Sequence, residues 1–221
     1  MQKGNKKRVA ICFFGQTRTF QTIEETYKNL SHDNIEFDFF VSTWDDFKDK
    51  EKFDFCIGKE FIDPNIREFK NNTERASYTI HRLNIMKSTK EVKENFIYNY
   101  VMWVRSEIYF ELKPLLEFLK SKVHKSHKHK PLELEINTHG DIEDRDGHPY
   151  LAGDYYFFGT SVAFDLYATG WKYYFLNHNE QGKHGGHNFH ANTIVRNNLD
   201  LVPVNIPHRF QFSKLHEREV S

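Results

Sequence analysis

Three short stretches set charged or hydrogen-bonding residues directly after apolar runs: Gly15-Gln16-Thr17-Arg18, Ser42-Thr43-Trp44-Asp45 and Arg105-Ser106-Glu107. Each carries its own chemistry. A glycine after a strand lets the backbone approach a ligand, and the helix that follows aims free N–H groups at the same place. Arg18 adds a charge-assisted contact suited to a phosphate. Many such turns carry a glycine and bind nothing, so this stretch decides nothing alone. Trp44 offers a ring to stack on a base, and Asp45 offers oxygens to ribose hydroxyls. The same two residues read equally well as core and as a helix cap. Glu107 is a hard oxygen donor of the kind Mg²⁺ or Mn²⁺ takes. Such a cation neutralises the charge that develops on a departing diphosphate. Glu107 also reads as half of an ion pair with Arg105, since residues two apart share a strand face; such a pair is worth about 0–1 kcal/mol. Spacing leaves both readings open.

The elements that must position these residues follow from hydrophobic pattern. Arg8–Phe14 is an apolar run of the kind that forms a strand buried on both faces. Gly15 breaks it, and Phe20, Ile23, Tyr27 and Leu30 then recur at helical spacing over Thr19–Leu30. A second strand is predicted over Ile35–Ser42, and a third, short one over Phe53–Ile57. The longest helical pattern covers Arg75–Ile97 and leads into a strand over Tyr98–Val104. Pro114 fits the first turn of the next helix. Later strands are predicted over Leu132–Asn137, Tyr155–Gly159 and Leu199–Ile206, with helices over Val162–Leu176, weakened by Gly170, and Asn192–Asn198. Alternating strands and helices predict an α/β fold: an open, mostly parallel, Rossmann-like sheet with helices on both faces. Ligands bind such sheets outside the carboxyl ends of the strands. The three polar stretches all fall at those ends, which predicts one shared pocket.

Bulk composition narrows the function classes. At 221 residues the chain is expected to be a single domain with a well-buried core. Aromatic residues make up 16%, with 21 Phe, so the core is predicted to be rich in rings. Acidic and basic residues balance at 31 each, which argues against a nucleic-acid binder working by counterion release. No apolar run approaches the ~20 residues of a membrane span. The polar start, Met1–Arg8, lacks the apolar stretch of a signal peptide, so a cytoplasmic location is expected and the two glycosylation sequons are read as chance. Cys12 and Cys56 are read as buried free thiols of a reducing compartment. The Lys/His-rich run Lys120–Lys130 reads as a solvated surface. The acidic loop Thr138–Pro149 fails the spacing of a calcium-binding hand.

Taken together, "RVAICFFGQTRTF", "FDFFVSTWDD" and "YNYVMWVRSEIYF" resemble the landmarks of a family. This is the group of small bacterial and viral glycosyltransferases of the A-type fold associated with lipopolysaccharide, capsule or viral glycan synthesis. The resemblance covers residues 8 to 110 and, more loosely, "GDYYFFGTSVAFD" at 153 to 165. In that family the third landmark reads Tyr-Asp-x-Val-x-x-x-Arg-x-Asp, whose last acid stands in for the metal-binding DxD motif. This chain has Asn99 for the first Asp and Glu107 for the last.

The resemblance implies a nucleotide-sugar half over about 8–110 and an acceptor half over about 111–221. It implies that Phe13, Gly15, Arg18, Trp44 and Asp45 line the donor site, with Tyr78 and Arg82 reaching the base or diphosphate. Glu107 would hold a divalent cation, Mn or Mg, with Arg105 supporting it. In the acceptor half, an inverting transfer needs a carboxylate to take the acceptor proton, and Asp154 is the candidate. His187 or His190, in the glycine-broken cluster His184-Gly-Gly-His187-Asn-Phe-His190, would bring a further ligand to the metal; a loop closing over the donor accounts for the same glycines. The expected function is metal-dependent transfer of a sugar from a nucleotide-diphosphate donor to a glycan or lipid-linked acceptor. A non-catalytic binding module on the same fold is the rival. A phosphotransferase is weakened by the absence of any Gly-x-x-x-x-Gly-Lys-Ser/Thr or Gly-x-Gly-x-x-Gly motif.

Overall fold

A computed structural model describes residues 6–15, 23–46, 50–69, 71–124, 130–138, 152–171, 193–194, 197–204 and 206–210. The strands are β1 (Lys7–Phe14), β2 (Ile35–Trp44), β3 (Gly58–Ile62), β4 (Tyr100–Arg105), β5 (Ile108–Phe110), β6 (Glu133–Thr138), β7 (Ala152–Gly159), β8 (Asp200–Val204) and β9 (His208–Phe210). The helices are α1 (Ile23–Lys28), α2 (Asn72–Glu94), α3 (Leu112–Val123) and α4 (Ser161–Trp171). A seven-stranded sheet has the order β3-β2-β1-β4-β7-β6-β8, and β5 pairs with β9 in a separate small ribbon. Pairing is parallel from β3 through β4 and between β6 and β8; within the seven-stranded sheet only β7 runs against the rest, and β5 and β9 pair antiparallel. The fold is therefore α/β with an open, mostly parallel sheet.

Side-chain alternation explains why both faces need a helical cover. Val9, Ile11 and Phe13 of β1 point into one core, with Tyr27 of α1 and Leu115, Leu119 and Val123 of α3. Ala10, Cys12 and Phe14 point into the other, with Ile80 and Leu83 of α2 and Phe164 and Tyr167 of α4. Rings do much of the filling. Trp103 and Phe157, partners across β4 and β7, stack with centroids 3.6 Å apart. Fully burying one such side chain is worth about 1.5–3 kcal/mol.

α2 is bounded by recognisable caps. The Asn71 side chain accepts a hydrogen bond from the Glu74 N–H, and Asn95 closes the other end in the left-handed region. Pro114 lies in the first turn of α3. Pro203 lies in β8, an edge strand of the sheet, where its missing N–H is tolerated. Both cysteines are free and buried.

Several boundaries differ from the pattern reading. The third strand is Gly58–Ile62, not Phe53–Ile57. Phe53 instead ends a 3-10 turn and plugs the core beneath β2, so its apolar character marks a plug and not a strand. The fourth strand starts at Tyr100 because Asn99 is spent on a clamp: its N–H bonds Arg8 O at 3.0 Å and its Oδ1 accepts from the Arg8 N–H at 2.9 Å. Gly170, read as a weakness in α4, is a packing requirement. A Cβ there would run into the Thr193 side chain. The rest of that helical pattern, residues 172–176, lies outside the described residues.

Candidate functional site at the carboxyl edge of the sheet

Parallel pairing brings the ends of β1, β2 and β4 level. Phe14 registers with Ser42 on one side and with Arg105 on the other. Gly15 follows Phe14 with φ +84°, a conformation costly for any residue with a Cβ, and nothing among the described residues lies within 4 Å of where that Cβ would be. The turn is tied to its neighbours. Thr43 Oγ1 donates to Gly15 O at 2.7 Å, Gly15 N–H reaches Thr79 Oγ1 of α2 at 3.4 Å, and Ser106 N–H bonds Phe14 O at 3.1 Å. The edge is thus a hydrogen-bonded rim on which no other described residue crowds the glycine.

Asp45 lies on this rim, exposed, with its carboxylate paired to Lys50 and its N–H bonded to Ile62 O at 2.8 Å. Arg105 ends β4. Ser106 and Glu107 then form a turn into β5, and Arg105 Nη2 pairs with Glu107 Oε2 across it. The pair foreseen along a strand face exists, but it spans a turn. The Glu107 side chain keeps 13% of its surface, at the rim.

β7 adds a fourth position. Because it runs antiparallel to β4, with Tyr156 opposite Val104, its amino end lies at the carboxyl ends of β1, β2 and β4. Asp154, two residues before Tyr156, is therefore carried by the same edge in the backbone.

The remaining candidates fall elsewhere. Phe13 is fully buried among Tyr27, Phe39, Phe53 and Phe55, so its ring has no surface to offer a ligand and only its backbone borders the rim. Trp44 is also buried, edge-on to Phe69, with the Arg75 guanidinium 4.7 Å over its ring. Tyr78 contacts Phe69 edge-on at 5.6 Å. Arg82 is held by a fork to Glu60 of β3, its Nε 2.9 Å from both carboxylate oxygens. Arg18, His187 and His190 lie outside the described residues.

Pattern reading missed two features. One is a cavity of about 440 Å³ beside the rim, between the β3–α2 loop and the start of α2, lined by Pro64, Asn65, Arg67, Glu68, Phe69 and Arg75. The loop "DPNIREFKNN" carries the only signal for it, a Pro-led polar run broken by one ring. The other is a buried polar network joining α2 to α4. Lys87 has no exposed surface; its ammonium bonds Glu91 Oε2 at 2.9 Å, Asp165 Oδ1 at 2.8 Å and the Ser161 hydroxyl. Glu91 Oε1 in turn accepts from Ser161 at 2.7 Å and from the Tyr98 N–H at 2.8 Å. Residues more than 70 positions apart meet here, and no local pattern announces them.

Among the described residues no group of three or more His, Cys, Asp or Glu side chains is arranged to hold a metal ion. Glu107 supplies one carboxylate at the rim, with one oxygen engaged by Arg105. Mg²⁺ characteristically takes one or two carboxylates and completes its shell with substrate phosphates and water. Among the described residues this donor set thus fits a cation that arrives with a diphosphate and includes no preassembled cage.

No family model matches the sequence, and no curated protein matches it. Among solved structures, the chain is similar to a glycosyltransferase involved in the glycosylation of the major capsid of PBCV-1, at 12% identity and TM-score 0.53, covering 89% of this chain and 82% of that one. At that identity the likeness is one of fold. No helix among the described residues is long and apolar enough to cross a membrane.

Proposed function

We propose that the chain is a glycosyltransferase of the A-type fold that moves a sugar from a nucleotide-diphosphate donor to a glycan or lipid-linked acceptor with the help of a divalent cation, Mn or Mg, in the cytoplasm. The observation that carries this reading is the gathering of Gly15, Asp45, Glu107 and the backbone of Asp154 at one edge of a sheet whose fold is shared with a viral glycosyltransferase. In this reading Gly15 lets the diphosphate approach the backbone, and Asp45 exchanges Lys50 for ribose hydroxyls. Glu107 anchors the cation, and Arg105, already beside it, holds the carboxylate in place and adds positive charge toward the diphosphate. The cation, when bound, offsets the charge developing on the leaving diphosphate. Asp154 takes the acceptor proton. Arg18, His187 and His190 are assigned to the donor phosphates and the metal on the family resemblance alone.

The binding-module alternative rested on Asn99 and Glu107 standing where the family has Asp. Asn99 clamps the amino end of β4 to Arg8, at the opposite edge from the rim, so its identity answers a backbone N–H and not a ligand. Only the Glu107 departure still speaks for that alternative. A panel of nucleotide-sugars, assayed with and without Mn²⁺ for nucleotide release and for melting shifts, tests the reading. Metal-dependent release that Glu107→Ala abolishes is the expected result. Binding without release on every donor, with glycan and lipid-linked acceptors supplied, would move the assignment to the binding module.

A further inference from the structure

The described arginine side chains sort into two groups. Arg8 pairs with Glu36 and Glu94, Arg67 with Glu74, Arg82 with Glu60 and Arg105 with Glu107. Arg75 has no carboxylate partner among the described residues, and its buried Nε has no hydrogen-bond acceptor. Buried donors are nearly always satisfied, so this orphan leaves the arginine short of an acceptor; the Nε itself is sealed from solvent, and only the exposed part of this half-buried side chain can meet an occupant of a cavity. Its surroundings hold it ready. Trp44 lies under the guanidinium at 4.7 Å and Phe69 beside it at 5.9 Å, and stacking on rings fixes the plane of the fork without using its N–H groups.

Arg75 forms part of the wall of the cavity of about 440 Å³, within the size range of small-molecule sites. Arg67 lines the same cavity and lies 5.1 Å over Phe69, although Glu74 already neutralises it. Arg75 lies in the first turns of α2, where the helix dipole adds positive potential. One turn further along the helix, Thr79 meets Gly15, so the cavity adjoins the rim.

We infer that the cavity between the β3–α2 loop and α2 is a metal-independent site for an oxyanion, phosphate or carboxylate, carried on a molecule of roughly sugar size, with Arg75 as the residue that binds it. Trp44 and Phe69 act as positioning residues that hold the guanidinium flat. The site stands whether or not the chain transfers sugars. The oxyanion has two sources in the proposed reaction, a nucleotide diphosphate or an acidic or phosphorylated sugar, and the chemistry that recognises them is the same.

The test is calorimetric titration in excess chelator with UDP, GDP, glucose 1-phosphate and glucuronate, against uridine and glucose as uncharged controls. Expected is binding of at least one anionic probe, without its uncharged counterpart, weakened about tenfold or more in Arg75→Met and less in Arg75→Lys, which keeps the charge but loses the fork. Chelator removes the divalent cation on which the proposed turnover depends, so binding that persists in it separates the site from the transferase reading. Nucleoside diphosphate as the best probe assigns the cavity to the donor, and a sugar acid or phosphate assigns it to the acceptor. Either supports the site. Absence of binding by every anionic probe, or equal binding by an Arg75→Met protein with an unchanged circular dichroism spectrum, overturns it.

Discussion

The α2–α4 interface and the carboxyl rim both concentrate charge, and they treat it in opposite ways. At the interface, Lys87 is sealed from solvent and three side-chain partners occupy its ammonium. Burying a lysine is costly unless its hydrogen-bonding capacity is met, and here it is. At the rim, the Arg105–Glu107 pair keeps contact with water and Asp45 is exposed; beside it, the Arg82–Glu60 pair is half-wet and Arg75 has no acidic partner among the described residues. Charges that are saturated and buried hold elements together. Charges left half-wet or unpaired can exchange their partners for a ligand at small cost. The difference between the regions is in satisfaction, not in residue type.

The largest effect that would break this comparison is at Lys87. Lys87→Met should strand Glu91 without its cation and cost about 3–5 kcal/mol in urea-unfolding free energy. A loss below about 1 kcal/mol would mean that the network is as dispensable as a surface pair. At the rim the effect should move from stability to activity. Glu107→Gln is expected to lower metal-dependent turnover about 100-fold or more, while its unfolding free energy stays within about 1 kcal/mol of the parent.

A third core polar group, Tyr156, sharpens the contrast through pH. Its hydroxyl accepts from the Ile206 N–H at 2.6 Å and anchors the connection between β8 and β9 to β7. Burial pushes its pKa up to about 12, with the Ile206 hydrogen bond pulling the other way. In the unfolded chain a tyrosine titrates near 10. The folded protein therefore holds this proton longer, so the stabilisation is complete below about pH 10 and is lost as pH rises through about 12. Unfolding free energies measured from pH 9 to 12 should fall by on the order of 2 kcal/mol more in the parent than in Tyr156→Phe. The smallest effect is Arg82→Gln. Its pair with Glu60 is about a third exposed, and its loss should change stability by no more than about 1 kcal/mol.

Much of the fold was legible because buried strands and amphipathic helices leave periodic signatures. The run Arg8–Phe14 became β1 almost residue for residue. Misreadings came where an apolar residue serves a loop, as Phe53 does, or where glycine answers a distant neighbour, as Gly170 answers Thr193. At the candidate site the same division holds. Gly15, Asp45 and Glu107 were visible as polar punctuation after apolar runs. Arg75 was not, because nothing local distinguishes an arginine that will have a carboxylate partner from one that will not. Arg82 shows the converse: its neighbour in sequence gave no sign that Glu60, on another strand, would occupy it.

The sequence by itself determined that β1, β2 and β4 end in polar residues at a common edge. A strand–helix–strand crossover between neighbouring strands favours parallel pairing, and parallel neighbours present their carboxyl ends on one side. Tertiary structure alone decided two further matters. The reversal of β7 brings Asp154 to that same edge, where a parallel strand would have carried it to the opposite one. The packing of the β3–α2 loop on Trp44 leaves Arg75 beside a cavity while every other described arginine side chain finds an acid. Both depend on contacts between elements far apart in the chain, and their register is set by which faces fit when the sheet is assembled.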